Sequence, residues 1–278
     1  MKIWRQVLRP VPGMVYIIIG GDDMTQEQRA DFLIRWLLDE RGEHAPAELS
    51  HGLADKRRLL RGLMNIRPPA PVSGEFLQVQ DAYLQERLAE RGVTRLKDLR
   101  PVRPGLYLWQ GDITTLEVDA IVNAANSQML GCFVPCHGCI DNAIHTYAGV
   151  QLRLECARMM AGQEEPTGKA RLTKAYNLPC RHVLHTVGPI ISGPVTKKDC
   201  ELLAGCYRSC LELAAANGLH SVAFCCISTG EFRFPNELAA ETALKAVQEW
   251  RQQDQDKVEV VFNVFKDVDH EIYKRLLR

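Results

Sequence analysis

Charge of one sign is missing from this chain: 34 lysines and arginines are balanced by 34 aspartates and glutamates among 278 residues. No long-range field draws the whole molecule to nucleic acid or to a membrane, so an anionic ligand must be met by a local site. Long apolar runs are missing too. The N-terminal run Met14 to Ile19 is six residues, too short for a signal h-region or a membrane span. There is no Walker A loop and no GxGxxG fingerprint, which argues against ATP hydrolysis and Rossmann dinucleotide binding. There is no second Cys-x-x-Cys pair, no internal repeat and no low-complexity tract. The ten cysteines are not spaced like those of a small secreted disulfide scaffold. These absences imply a reducing, cytoplasmic setting in which most cysteines act as small buried hydrophobes.

The hydrophobic share of 46% and charged share of 24% are ordinary for a globular chain. Residues 1 to about 100 read as helical. Thr25 and Gln28 fit a capping box, and Phe32, Leu33, Trp36 and Leu37 form an apolar stripe on a helix ending before Gly42. Leu49 to Met64 and Phe76 to Leu88 are further helix candidates, separated by the proline-rich break Arg67 to Pro71. This region shows no chemical constellation and reads as an extension packed on the main domain.

From Leu106 the texture changes. Strand candidates are Leu106–Trp109, Val118–Asn123, Ala170–Tyr176, His182–Val187, Ser221–Ile227 and Val258–Phe265. Helix candidates are Ile140–Met160, Asp199–Asn217 with Gly218 behind it, Asn236–Gln253 with Asn236 as N-cap, and Asp269–Leu277. Strands spaced by helices argue a largely parallel, helix-covered sheet.

The chemistry concentrates in Asn123 to Gly149, between a strand and a helix, where open α/β sheets place ligands. Cys132, Cys136, His137 and Cys139 fall within eight residues. Thiolate with imidazole suits zinc, and three ligands with an open fourth position is the pattern of a working site. Cys132, His137 and Cys139 form the expected trio, because neighbours Cys136 and His137 do not readily reach one metal together. A Cys136/Cys139 redox pair and plain loop cysteines are the alternatives. Ser228 to Phe232 lies between a strand and a helix start, where backbone amides meet anions; it is equally readable as a turn. Gly188-Pro189 carries the same ambiguity. Asp141 at a helix start serves as a cap or as a catalytic carboxylate, with His145 on the same helical face. Asn123 and Asn126 suit a sugar or a turn, and Asp112 suits an Asx turn.

Taken together, Gly111-Asp112-Ile113-Thr114, Val118 through Asn126, Asp141-x-Ala143-Ile144-His145, Val187-Gly188-Pro189 and Ser228-Thr229-Gly230 through Phe234-Pro235 resemble the macrodomain family, which binds ADP-ribose. The match runs over about residues 105 to 278. The cysteine-rich loop replaces the family's usual glycine-rich stretch and, with the helical extension, resembles the zinc-containing microbial class of MacroD-like ADP-ribosyl hydrolases. The extra Cys136 departs from that pattern.

The resemblance implies a three-layer α/β/α macrodomain with a mixed, largely parallel sheet, spanning residues 101–278, and a helical N-terminal extension, residues 1–100. It implies hydrolytic removal of mono-ADP-ribose from protein side chains, acidic-residue-linked, with a lipoyl-carrier protein as substrate and a sirtuin-like ADP-ribosyl transferase as functional partner. A non-catalytic ADP-ribose reader and an O-acetyl-ADP-ribose deacetylase are the rival readings. Asp112 and Ile113 would receive adenine and Phe265 would stack on it. Ser228, Thr229, Gly230, Glu231 and Phe232 would wrap the diphosphate. Asn123 and Asn126 would meet the distal ribose. Cys132, His137 and Cys139 would hold Zn2+, and Asp141, with Asn126 and His145, would serve the reaction. No nucleic acid or membrane partner is expected, and the chain is expected to act as a monomer.

Overall fold

The computed structural model describes residues 24–43, 52–253 and 258–278. The apolar run Met14 to Ile19 and the start of the Leu49–Met64 helix candidate lie outside the described residues.

Among the described residues, three helices come first. α1 (Gln26–Glu40) opens on the Thr25/Gln28 capping box. α2 is Leu53–Ile66, and α3 is Gly74–Arg91 with Ser73 capping it through Phe76 N–H. Leu33, Ile34, Leu37, Leu60, Leu63 and Phe76 bury one another in a small core separate from the main one, with Val150 as the point of junction. Polar contacts also cross the junction. They include Asn65 to Thr146 at 2.9 Å, Gln80 to Gln151 at 2.7 Å and Asn177 to Asp81 at 2.7 Å.

The main sheet has seven strands. In chain order the strands are β1 (Thr94–Arg95), β2 (Pro101–Arg103), β3 (Leu106–Gln110), β4 (Leu116–Glu117), β5 (Ala120–Ala124), β6 (Ala170–Lys174), β7 (His182–Thr186), β8 (Ser221–Phe224) and β9 (Glu259–Val264). The sheet order is β2-β3-β9-β8-β5-β7-β6, while β1 and β4 pair separately. Neighbours from β3 through β7 are parallel, and the two edge strands are antiparallel. Helices cover both faces, so the central strands are buried on both sides and carry apolar residues almost continuously, as in Ser221–Phe224. α4 (Ile140–Ala148) and α5 (Val150–Met160) pack beside β5 and β6. α6 (Lys197–Ala216), α7 (Asn236–Gln253) and α8 (Asp267–Leu276) form the other layer. The architecture is the expected three-layer α/β/α arrangement with a mixed, largely parallel sheet and helices at its N-terminal side.

Several boundaries differ from the sequence reading. The single helix expected over Ile140–Met160 is two, because Gly149 adopts φ 95° and turns the chain between them. A Cβ there would press on the Gln80 and Gln151 side chains. Asn236 is not an N-cap: α7 begins at Asn236 itself, and its side chain bonds Asp269 Oδ1 at 2.6 Å. α6 starts earlier than Asp199, on a Thr196/Asp199 capping box. Strands β1, β2 and β4 have two or three residues each, too short to leave a period in the sequence. No helix among the described residues is long and apolar enough to cross a membrane.

Because β3, β9, β8, β5 and β7 run parallel, their C-terminal ends share one edge. The loops holding Asp112, Asn126, Gly188, Ser228 and Phe265 all leave the sheet there.

Candidate active site

Asn123, the fourth residue of β5, is fully buried and pairs in register with His185 on β7. Its amide nitrogen lies 2.8 Å from Asp141 Oδ1 and 3.1 Å from His185 Nδ1. The amide donates, so His185 Nδ1 accepts; His185 Nε2 then carries the proton and faces Thr173 Oγ1 at 2.9 Å. Asn126 donates to the other carboxylate oxygen, Asp141 Oδ2, at 3.3 Å and to the Gly131 carbonyl at 3.1 Å. The helix cap is not Asp141 but Cys139, whose Sγ accepts from Asn142 N–H at 3.4 Å. The aspartate is thereby free to turn toward the two asparagines.

Burial pushes the Asp141 carboxyl up to about 6, against the Asn123 hydrogen bond and the Arg153 charge. His145 Nε2 lies 3.6 Å from Asp141 Oδ1. Burial, with His185 and Arg153 nearby, holds the His145 imidazole well below its ordinary value, and burial takes His185 down to about 3. Both histidines are neutral at physiological pH. Among the described residues, the buried amide oxygens of Asn123 and Asn126 have no hydrogen-bond partner, nor do the two His145 ring nitrogens. Buried acceptors of this kind are costly unless something donates to them.

The cysteine loop stands beside this carboxylate. Ligand atoms of Cys132, His137 and Cys139 all lie within 4.8 Å of one another, with Cys132 Sγ 3.6 Å from His137 Nδ1. His137 Nε2 faces Glu231 at 3.5 Å, a carboxylate on the far imidazole nitrogen of the kind that orients metal-binding histidines. Two thiols and an imidazole so placed fit zinc. Burial, with the Cys132 thiol alongside, pushes Cys139 up to about 12; a cation reverses that balance, because coordination deprotonates the thiol. Cys136 turns away, its Sγ on the Arg58 carbonyl at 3.3 Å and its N–H on Asn65 Oδ1 at 2.9 Å.

The Ser228 loop approaches from β8. Ser228 sits at φ 65°, and its Oγ is buried without a partner. A Cβ at Gly188 would collide with that Oγ, so glycine there serves the close approach of the two loops. Thr229 Oγ1 donates to the Cys226 carbonyl at 3.0 Å, and the Phe232 carbonyl accepts from Ile191 N–H at 2.9 Å. Gly230 and Glu231 form the tip. At the opposite end, Asp112 is an Asx turn: Oδ1 accepts from Thr114 N–H at 3.0 Å. Its Oδ2 accepts from Arg91 at 3.0 Å, and Arg91 lies over the Tyr147 ring. Ile113 beside it is buried, while Phe265, just past the end of β9, is 75% exposed.

Three anchoring residues carried no sequence signal. Buried Arg153 of α5 donates to the Leu130 carbonyl and to the carbonyls of Met64, Asn65 and Arg67 at the end of α2. Arg61 of α2 holds the His137 carbonyl and Asn142 Oδ1. His185 backs Asn123. Each joins segments far apart in sequence, and no local spacing announces such a contact.

Residues 122–243 match the family model described as Macro domain. A protein-ADP-ribose hydrolase of Treponema medium is 55% identical over 260 residues, covering 91% of this chain and 100% of its own length. This chain belongs to the macrodomain family. A Staphylococcus aureus protein-ADP-ribose hydrolase is 49% identical over 91% of this chain and 96% of its own length. Among solved structures, the Trypanosoma brucei macrodomain in complex with ADP-ribose superposes with a TM-score of 0.62 at 33% identity, covering 78% of this chain and 95% of that one. In this macrodomain the Asp141 carboxylate and the cysteine loop lie together just past the C-terminal end of β5.

Proposed function

We propose that this macrodomain hydrolyses the bond at ribose C1″ that joins a single ADP-ribose to a protein side chain, with zinc at Cys132, His137 and Cys139. The observation that carries the reading is the Asp141 carboxylate, gripped on both oxygens by Asn123 and Asn126 and placed next to the thiol-imidazole cluster. A module that only reads ADP-ribose needs neither. The high identity to proteins named protein-ADP-ribose hydrolase supports the same reading.

The residues divide the work as follows. Asp112 and Ile113 receive the adenine and Phe265 stacks on it. Ser228, Thr229, Gly230, Glu231 and Phe232 wrap the diphosphate, with Ser228 Oγ an unused hydrogen-bonding group. Asn123 and Asn126 offer their partnerless amide oxygens to ribose hydroxyls. Cleavage at C1″ builds positive charge on the ribose, and the oriented Asp141 carboxylate stabilises that charge. Neutral His145 lies along the carboxylate and adds no competing charge. A bound zinc supplies Lewis acidity at this end of the cleft.

The substrate is a protein modified on an acidic side chain. A lipoyl-carrier protein, modified by a sirtuin-like transferase, is the candidate that the family resemblance supplies. Residues 1–100 form the extension and 101–278 the catalytic domain, in a cytoplasmic protein. The test is release of free ADP-ribose from a mono-ADP-ribosylated acidic-residue substrate, before and after zinc stripping. Release that falls on stripping and returns with zinc is expected. Binding of ADP-ribose without any release would make the protein a reader and remove Asp141 from its catalytic role.

A further inference from the structure

A cavity of about 390 Å³ opens between α2, α3 and α4, beside the cysteine loop rather than along the strand ends. Its wall carries Arg57, Arg58, Arg61 and Arg87, with Tyr83 and Tyr147 between them, and no carboxylate among the described residues lines it. Just outside, Glu90 ion-pairs with both Arg57 and Arg87, so one negative charge is shared by two cations. Arg61 is engaged by neutral acceptors, Asn142 Oδ1 and the His137 carbonyl. Arg58 is exposed, and its guanidinium has no carboxylate partner among the described residues. Arg57 Nε is buried with no hydrogen-bond partner. Among the described residues, four guanidiniums line the cavity and Glu90 is the one carboxylate that pairs with any of them, in a chain whose net charge is zero.

The position matters as much as the charge. Arg61 grips Asn142, the residue after Asp141, and His137 of the cysteine loop. The cavity thus begins next to the point where an ADP-ribosylated side chain is joined to its protein. A polypeptide whose ADP-ribose occupies the strand-end cleft has to leave past this loop. Clustered guanidiniums match carboxylates in charge and in bidentate geometry, and the tyrosine rings give an extended peptide an apolar wall.

We propose that this cavity docks an acidic segment of the substrate protein, flanking the modified residue, and so selects acidic substrates. The inference rests on the hydrolase reading for the place where the substrate protein lies.

The test uses the zinc-loaded full chain and two labelled mono-ADP-ribosylated peptides, identical except that the flanks are Glu/Asp in one and Gln/Asn in the other. Binding and ADP-ribose release are read in the same samples. The expected result is about tenfold tighter binding of the acidic-flank peptide, weakening with salt. Arg58→Glu combined with Arg87→Gln removes that preference and leaves the neutral-flank peptide and its kcat unchanged, while Arg58→Lys retains it. Arg58 is exposed and has no carboxylate partner among the described residues, so Arg58→Glu alone also serves should the double variant fold poorly. Equal binding of the two peptides by the unaltered protein overturns the proposal, as does a preference that survives charge reversal. An equal loss of free ADP-ribose binding in the variants also overturns it, by making the cavity part of the nucleotide site. An acid preference without release sinks the hydrolase reading alone and leaves the docking surface standing.

Discussion

Asn123 donates to Asp141 Oδ1 at 2.8 Å while its own position is fixed by His185, its register neighbour on β7. The carboxylate is thus oriented from the sheet rather than from its own helix. Asn123→Ala removes the donor and leaves a buried carboxyl half-supported. The expected cost is about 100-fold in kcat and about 1–3 kcal/mol in stability. Parallel ADP-ribose-release assays and urea melts check both. An unchanged kcat would mean that Asp141 does not need this orientation.

The cysteine loop separates its thiols by what they face. Cys132 and Cys139 converge with His137, whereas Cys136 bonds the Arg58 carbonyl. Zinc content by atomic absorption should stay near one per chain in Cys136→Ser and fall steeply in Cys139→Ser. Serine keeps an acceptor at the N-cap of α4, so the loss reports on metal ligation rather than on the helix. Loss of zinc from Cys136→Ser, with Cys139→Ser loaded, would reassign the ligand set.

The sequence made the three-layer architecture legible because the apolar periods of β3, β5, β7, β8 and β9 are interrupted by long amphipathic helices. The site clustered in advance because Asn123 to Gly149 is nearly contiguous. What stayed hidden is long-range. Arg153 reads as an ordinary surface arginine of α5, yet it is buried against carbonyls 86 to 89 residues earlier in the chain. His185 looks like a strand histidine until β7 is laid beside β5. Gly149 sits inside an unbroken helical pattern, yet it adopts φ 95° where a Cβ would press on Gln80 of α3.

Arg153 offers a stability test. Its guanidinium satisfies carbonyls at the end of α2 and at Leu130, and burial brings its pKa down to about 10. Arg153→Met abandons those carbonyls, so the unfolding free energy should fall by about 3–5 kcal/mol. Hydrogen exchange should show α2 and residues 130–139 loosening first. A loss below about 1 kcal/mol would mean that the carbonyls find other partners.

Gly188→Ala tests the Ser228 loop without touching it. The added methyl would collide with Ser228 Oγ, and a loop already at φ 65° has little room to yield. Affinity for ADP-ribose should fall about tenfold, or about 1.4 kcal/mol, by calorimetry, with zinc content unchanged. Undiminished affinity would detach the Ser228 loop from diphosphate binding.

Acid stability should depend on Asp119, at the sheet edge away from the cleft. Burial raises its pKa, but the His220 N–H at 2.7 Å and Arg181 at 3.2 Å outweigh burial, and the folded value lies below the usual carboxylate value. The folded protein therefore holds the charged form more tightly than the unfolded chain does. That stabilisation is fully present above the unfolded value of about 3.9 and is lost as pH falls through the folded value. Arg181 is exposed, so solvent screening limits the ion-pair share to under about 1 kcal/mol. Asp119→Asn should lower the melting temperature at pH 7, and the gap to the unaltered protein should close as pH falls through the folded value. A gap independent of pH would assign the effect to lost hydrogen-bond geometry at His220 rather than to charge.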